Sequence, residues 1–197
     1  MEGREHSGVI LKYVSSGDAA GAQAWEEAFK GGADPSTELR GIAFRKAPGY
    51  EMGDVSHVAI YETTSQDAAA AIASVGQDGE VVSYTKIAEH GPVAEGVTKG
   101  VVLVFTDCDD PAEEDGYNEW YTGHLHHTVE NMDLCAATRY VSDDPSRTIS
   151  KYLAIYETLS DDPARVQKDG LDWWMSGNFE GPKGMVLRAE VPFARID

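Results

Sequence analysis

The chain has 197 residues, 42% hydrophobic and 25% charged, which is enough to bury a sizeable core and excludes collagen-like, mucin-like and coiled-coil readings. Sixteen Lys and Arg against 34 Asp and Glu leave a formal charge of −18, shared almost evenly by the two halves. A surface of that sign repels phosphate backbones, so nucleic acid and anionic membranes are excluded as partners.

In chain order the patterning predicts a strand over 8–14, a helix over 18–30, strands over 39–45 and 56–63, a helix over 66–76 and a strand over 80–87. A small, polar joint at 95–100 separates these from a second series. That series begins with a strand over 100–106, then a helix that Asp109-Asp110-Pro111 starts and that runs to about Asn131. Strands over 135–141 and 151–158 follow, with a turn at Asp143-Asp144-Pro145-Ser146 between them. A helix opened by Asp161-Asp162-Pro163 runs through Trp173-Trp174, and a strand over 184–191 closes the series.

Both series read β-α-β-β-α-β, the ferredoxin-like order. The chain also repeats itself: Ala59-Ile60-Tyr61-Glu62-Thr63 recurs as Ala154-Ile155-Tyr156-Glu157-Thr158, 95 positions on, and the same offset carries Trp25 onto Trp120. The expected fold is therefore α+β, with an N-terminal ferredoxin-like repeat over 1–96 and a C-terminal one over 97–197. A four-stranded antiparallel sheet with helices on one face leaves its other face apolar. The two repeats are thus expected to close back to back into an intramolecular α/β barrel, around one apolar chamber.

The stretch from Gly100 to Thr158 carries further pattern: an Asp-Pro helix start, then Tyr117-Asn118-Glu119-Trp120-Tyr121-Thr122-Gly123-His124-Leu125, then Arg139-Tyr140 on the next strand. It resembles the dimeric α/β-barrel superfamily and, within it, the EthD-like proteins, as a tandem fusion of two repeats. Met132-Asp133-Leu134 departs from the Gly or Pro-Gly turn usual after the helix that bears the histidine. At the matched offset in the first repeat Phe29 stands for His124 and Glu26 for Tyr121. The resemblance therefore implies one site per chain, in the second repeat.

On a helix, Tyr117, Trp120, His124 and His127 share a stripe, with Tyr121 beside it. An imidazole in an aromatic cavity stays neutral near pH 7 and can act as general base, while a tyrosine donates to a developing oxyanion. These residues suit proton abstraction next to a carbonyl, followed by elimination, isomerisation or ring closure. His124 and Tyr121 are the expected catalytic residues, and Tyr117, Trp120, His127, Arg139 and Trp173 the expected substrate contacts. Arg139 reads equally as a clamp for a substrate carboxylate or phenolate and as a strand-edge salt bridge. His126 points about 200° from His124 and is expected in solvent. Three histidines in Gly123-His124-Leu125-His126-His127 invite a metal, but the i, i+4 pair with an intervening Glu is absent, so no metal and no cofactor is expected. Cys108 and Cys135 lack CxxC spacing and read as buried thiols.

The function so implied is a small cofactor-independent enzyme, of lyase, isomerase or cyclase type, acting on an apolar aromatic or polyketide-like carbonyl compound. Two alternatives stand beside it: a non-catalytic EthD-like binding protein for a hydrophobic metabolite, and a cofactor-free monooxygenase. No signal-like or membrane-spanning run is read from the sequence, so a cytoplasmic protein is expected, with a homodimer as a further association.

Overall fold

In a computed structural model, the structure describes residues 6–15, 19–29, 41–65, 67–75, 80–91, 97–178 and 180–196. The elements are β1 (Gly8–Ser15), α1 (Ala19–Phe29), β2 (Gly41–Lys46), β3 (Val55–Thr63), α2 (Ala68–Val75) and β4 (Glu80–His90), followed by β5 (Gly100–Cys108), α3 (Glu114–Asn131), β6 (Ala136–Ser142), β7 (Tyr152–Thr158), α4 (Pro163–Trp173) and β8 (Met185–Arg195). A π-helical turn, Trp174–Asn178, extends α4 and ends where Gly177 takes φ +82°. Parts of the expected joint at 95–100, of strand 39–45 and of helices 18–30 and 66–76 lie outside the described residues.

Local chemistry explains the helix starts. Asp162 Oδ1 accepts the Arg165 amide at 3.0 Å, with Pro163 in the first turn of α4, and Asp67 Oδ1 accepts the Ala70 amide at 3.1 Å ahead of α2. Each satisfies an amide that the first turn leaves without a partner. α3 begins later than Asp109-Asp110-Pro111 suggests. Asp110 instead closes a turn of its own, its side chain accepting the Ala112 amide and its carbonyl the Glu113 amide, both at 3.0 Å.

The eight strands form one closed antiparallel barrel in the order β1-β3-β2-β8-β5-β7-β6-β4. Each series contributes four neighbours, β4-β1-β3-β2 and β8-β5-β7-β6, with corresponding strands in corresponding places. Register repeats as well: Ile10 faces Tyr61 in one series and Val102 faces Tyr156 in the other. Two seams join the series, β2 to β8 and β4 to β6. These seams explain why β4 and β8 run past their predicted ends. Ala88, Glu89 and His90 pair with Arg139, Thr138 and Ala137, and Phe193, Ala194 and Arg195 pair with Lys46, Arg45 and Phe44. The partners lie in the other series, beyond the reach of local pattern.

Strand alternation divides the apolar residues into two layers. Val101, Leu103, Phe105, Leu153, Ile155, Val191 and Phe193 turn inward and meet Val9, Leu11, Phe44, Val58 and Ile60 from the first series. The barrel interior is therefore a packed core, and the apolar chamber expected between the repeats is replaced by side chains. Intervening residues face the helices. In the second series these include Val102, Ala154 and Tyr156, beneath Tyr117, Tyr121 and Leu125 of α3. Among the described residues no helix is long and apolar enough to cross a membrane. Cys108 and Cys135 are half-buried instead of buried, donating weakly to the carbonyls of Asp110 and Glu157.

Because Leu103 has no exposed surface at the centre of the barrel, Leu103→Ala is expected to lower the unfolding free energy by about 2–5 kcal/mol. Urea denaturation checks this; a loss below 1 kcal/mol would mean that the interior is not the packed core described.

Candidate active site

α3 buries Tyr117, Tyr121, His124, Leu125 and Thr128, residues spaced by three and four as the helical period requires. At about 100° per residue, the centre of this face falls between His124 and Thr128. Trp120 then sits at its margin and His127 roughly 100° away, which is why His127 is exposed. α3 lies over β6 and β4, and α4 over β8 and β5. Between the two helices, above the helix-facing side of the sheet, is a cavity of about 250 Å³.

The floor of the cavity is Val102, Val104 and Thr106 of β5 with Tyr156 of β7. Its α3 side is Trp120, Tyr121, His124 and Thr128, continued by Met132 and Leu134 where the helix exits. Its α4 side is Val166, Gln167, Gly170 and Trp174, and Glu190 enters from β8. Leu171, Met175 and Leu187 form an exposed apolar rim. The site is thus within the second repeat, on its helix side.

His124 is 6% exposed and held in an aromatic box. The Trp120 ring stacks on it at 4.7 Å and 13°, and Tyr121 and Trp174 meet it edge-on at 5.5 and 5.2 Å. Thr128 Oγ1 donates to the His124 carbonyl at 2.7 Å and lies 3.2 Å from Nε2 and 3.4 Å from Nδ1. With its proton committed to the backbone, that hydroxyl can accept an imidazole N–H. Two effects oppose each other here. Aromatic faces attract an imidazolium, but burial withdraws it from water, and burial prevails. The pKa falls to about 4, through desolvation first and through the neighbouring His127 second. At neutral pH the ring is uncharged.

Tyr121, 3% exposed, has its hydroxyl hydrogen-bonded to that of Tyr156, and burial pushes both phenols above their usual range, so both stay protonated. Tyr117 lies behind the wall, its hydroxyl 2.7 Å from Thr106 Oγ1. Arg139 is buried at 1% exposure, its guanidinium 4.8, 4.5 and 4.6 Å from the ring centres of Tyr117, Tyr121 and Tyr152. Its Nη1 donates to the Asn118 carbonyl at 3.5 Å. Neither arrangement read from the sequence is formed: Arg139 makes no ion pair among the described residues and does not line the cavity. It is a cation solvated by aromatic faces, and it backs the wall that carries Tyr121.

The structure thus brings His124, Tyr121 and Trp120 to the cavity and leaves Tyr117 and Arg139 behind them. His127 and Trp173 do not line it. Trp174 takes the place expected of Trp173, because the buried face of α4, made by Pro163, Val166, Gln167 and Gly170, centres about 30° from Trp174 and about 70° from Trp173 at the helical step of about 100°. His126, exposed as expected, meets His90 Nε2 at 2.8 Å. Among the described residues no group of three or more His, Cys, Asp or Glu side chains is arranged to hold a metal ion.

Sequence reasoning missed Tyr156, Thr128, Gln167 and Glu190. Tyr156 belongs to a pentapeptide repeated at Tyr61, and repetition by itself points to packing. Glu190 had a legible signal: Val191 and Phe193 face the core, so the residue before them must face the helices. Burial raises its carboxyl above the ordinary range, opposed by one hydrogen bond from Gln167.

No family model and no curated protein matches the chain. Its fold is shared with solved structures at low identity, among them the following three. A major regulator of staphylococcal pathogenesis has a TM-score of 0.57 and 10% identity, over 96% of this chain and 99% of that one. A monooxygenase candidate from Fusobacterium nucleatum subsp. nucleatum has a TM-score of 0.54 and 8% identity, over 98% and 94%. An anthrone oxidase-like protein has a TM-score of 0.53 and 8% identity, over 99% and 93%. The likeness is one of fold, the ferredoxin-like α/β barrel.

A histidine whose folded pKa lies near 4 and whose unfolded value is 6.5 binds more protons unfolded than folded between those limits. Its contribution to stability is fully present above pH 6.5 and is lost as pH falls towards 4, to the extent of about 3 kcal/mol. Between pH 7 and 4 the wild type should therefore lose more unfolding free energy than His124→Gln. In an NMR titration the His124 ring signals should move near pH 4, and movement near 6.5 would show an imidazole in contact with water.

Proposed function

We propose that the chain is a cofactor-independent enzyme that moves a proton on an apolar, aromatic or polyketide-like carbonyl compound, with His124 as the base that touches the substrate. It is read as a fused pair of EthD-like repeats, 1–96 and 97–197, with its one site in the second. The observation that carries this reading is a neutral, buried imidazole facing a cavity whose walls are otherwise mostly apolar. A C–H bond next to a carbonyl would lose its proton to the unprotonated ring nitrogen of the neutral His124. The bonding pair moves onto the carbonyl oxygen, where the hydrogen-bonded pair of Tyr121 and Tyr156 has one hydroxyl proton left to donate.

An imidazole with a pKa near 4 returns its proton readily. This suits isomerisation, elimination or ring closure, in which the same proton is delivered to a second atom, more than storage of the charge. The bound enolate itself would favour the imidazolium during the step, since opposite charges at close range in an apolar site attract strongly. Leu171, Met175 and Leu187 at the rim suit entry of a hydrophobic compound.

A second reading is favoured by the names of fold neighbours, a monooxygenase candidate and an anthrone oxidase-like protein. The enolate or phenolate formed at His124 is also the species that would react with dioxygen. The two readings share the first step and divide at the second, which oxygen uptake separates.

The test is hydrogen exchange at the activated carbon of 2-tetralone in D2O, followed by proton NMR. Wild-type protein should accelerate exchange, and His124→Ala should lower the rate about 10²–10⁴-fold with the circular dichroism spectrum unchanged. Equal rates for the two proteins would remove His124 as the base. Oxygen consumption with a naphthohydroquinone, lost in the same variant, would assign the second reading.

A further inference from the structure

The cavity has a second polar pole. Glu190 stands on β8 directly opposite Val104 of β5 and lines the cavity together with Val104, Val166 and Leu187. Gln167 Nε2 donates to its Oε1 at 3.0 Å, and no cation pairs with it among the described residues. The other carboxyl oxygen has no hydrogen bond there. The Gln167 amide is itself fixed, because Tyr50 donates its hydroxyl to Gln167 Oε1 at 2.7 Å, which turns the NH2 group towards Glu190. Tyr50 comes from the segment between β2 and β3, so the first repeat reaches across to align a carboxyl in the cavity of the second.

Such a carboxyl in an apolar wall is costly unless it is used or well satisfied, and a single amide bond leaves it short of partners. His124 belongs to α3 and Glu190 to β8, on the two sides of the space beneath the helices. Among the described residues no Lys or Arg lines the cavity, so no fixed cation there compensates a ligand that enters as an anion.

We propose, building on the reading of His124 as base, that Glu190 is a second ligand-contacting group and that the cavity selects a neutral, apolar compound with oxygen functions at two separated positions. One, the enolisable carbonyl or phenol, lies at His124. The other, a hydroxyl or carbonyl, meets the Glu190 carboxyl, which can donate when protonated and accept when ionised. Tyr50 and Gln167 are positioning residues that hold the carboxyl towards the ligand.

Binding of three probes by isothermal titration calorimetry tests this without requiring turnover: 1-naphthol, 1,5-dihydroxynaphthalene and 5-hydroxy-1-naphthoate. Wild-type protein should bind the diol about tenfold more tightly than 1-naphthol, and the hydroxynaphthoate more weakly than the diol. Glu190→Leu should erase the preference for the diol while leaving 1-naphthol affinity within about twofold. Glu190→Gln, which keeps the shape and can still hydrogen-bond, should retain part of it, and Tyr50→Phe, outside the cavity, should reduce it without altering 1-naphthol affinity. Equal affinities for diol and 1-naphthol in the wild type would overturn the proposal, as would a preference that survives Glu190→Leu in a variant with an unchanged melting curve. In His124→Ala each probe can meet only Glu190, so the preference should shrink there as well. Binding to the wild type is read without turnover, so failure of proton exchange with the wild-type preference intact would count against the base and not against Glu190.

Discussion

The structure depends on burying both faces of a four-stranded sheet. An antiparallel ferredoxin-like sheet carries helices on one face and must cover the other, and the two sheets of this chain cover each other by closing into one barrel. Two seams, β2 with β8 and β4 with β6, remove every sheet edge at once and fix the register between the repeats. The interior that results is filled by the inward residues of both sheets, so it cannot also serve as a chamber. Any ligand space has to lie in the helix layers.

The two helix layers differ in what the described residues place there. In the second, large aromatic residues of α3 and the π-helical end of α4 meet at the rim of a cavity that they do not fill. In the first, the residues at the matched positions have another use: Glu26 accepts from Arg45 and lies 2.6 Å from His57 Nε2, with Trp25 against the His57 ring. Those polar groups satisfy one another. The pseudo-symmetric layers thus hold an internally paired cluster on one side and a cavity on the other.

Within the cavity, desolvation sets the chemistry. It overrides the attraction of three aromatic rings for a charged His124 and keeps that ring a neutral acceptor, and it keeps Tyr121 and Tyr156 protonated as donors. The same apolar surroundings raise the Glu190 carboxyl. Acceptor, donors and carboxyl are thus all placed by burial, with the Arg139 charge held just behind the wall among tyrosine rings. Its field opposes the rise in the Tyr117, Tyr121 and Tyr156 phenols, without offering a ligand an ion pair.

Order and type of every described strand and α-helix were legible in the sequence, because alternation, helical period and Asp-Pro starts are local, and the 95-residue offset pointed to a repeated fold. The face of α3 was legible to within half a turn, enough to find His124, Tyr121 and Trp120 but not to exclude His127. The choice of Trp174 over Trp173, the extra length of β4 and β8, and the position of the cavity were not legible. Each depends on a partner distant in sequence: the face α4 turns to the sheet, the seam strands of the other repeat, and the competition between two sheets for one interior. Glu190 shows the boundary between the two kinds of information. Alternation alone assigns its face, while the lack of a paired cation among the described residues and its alignment by Gln167 and Tyr50 exist only once the repeats have closed.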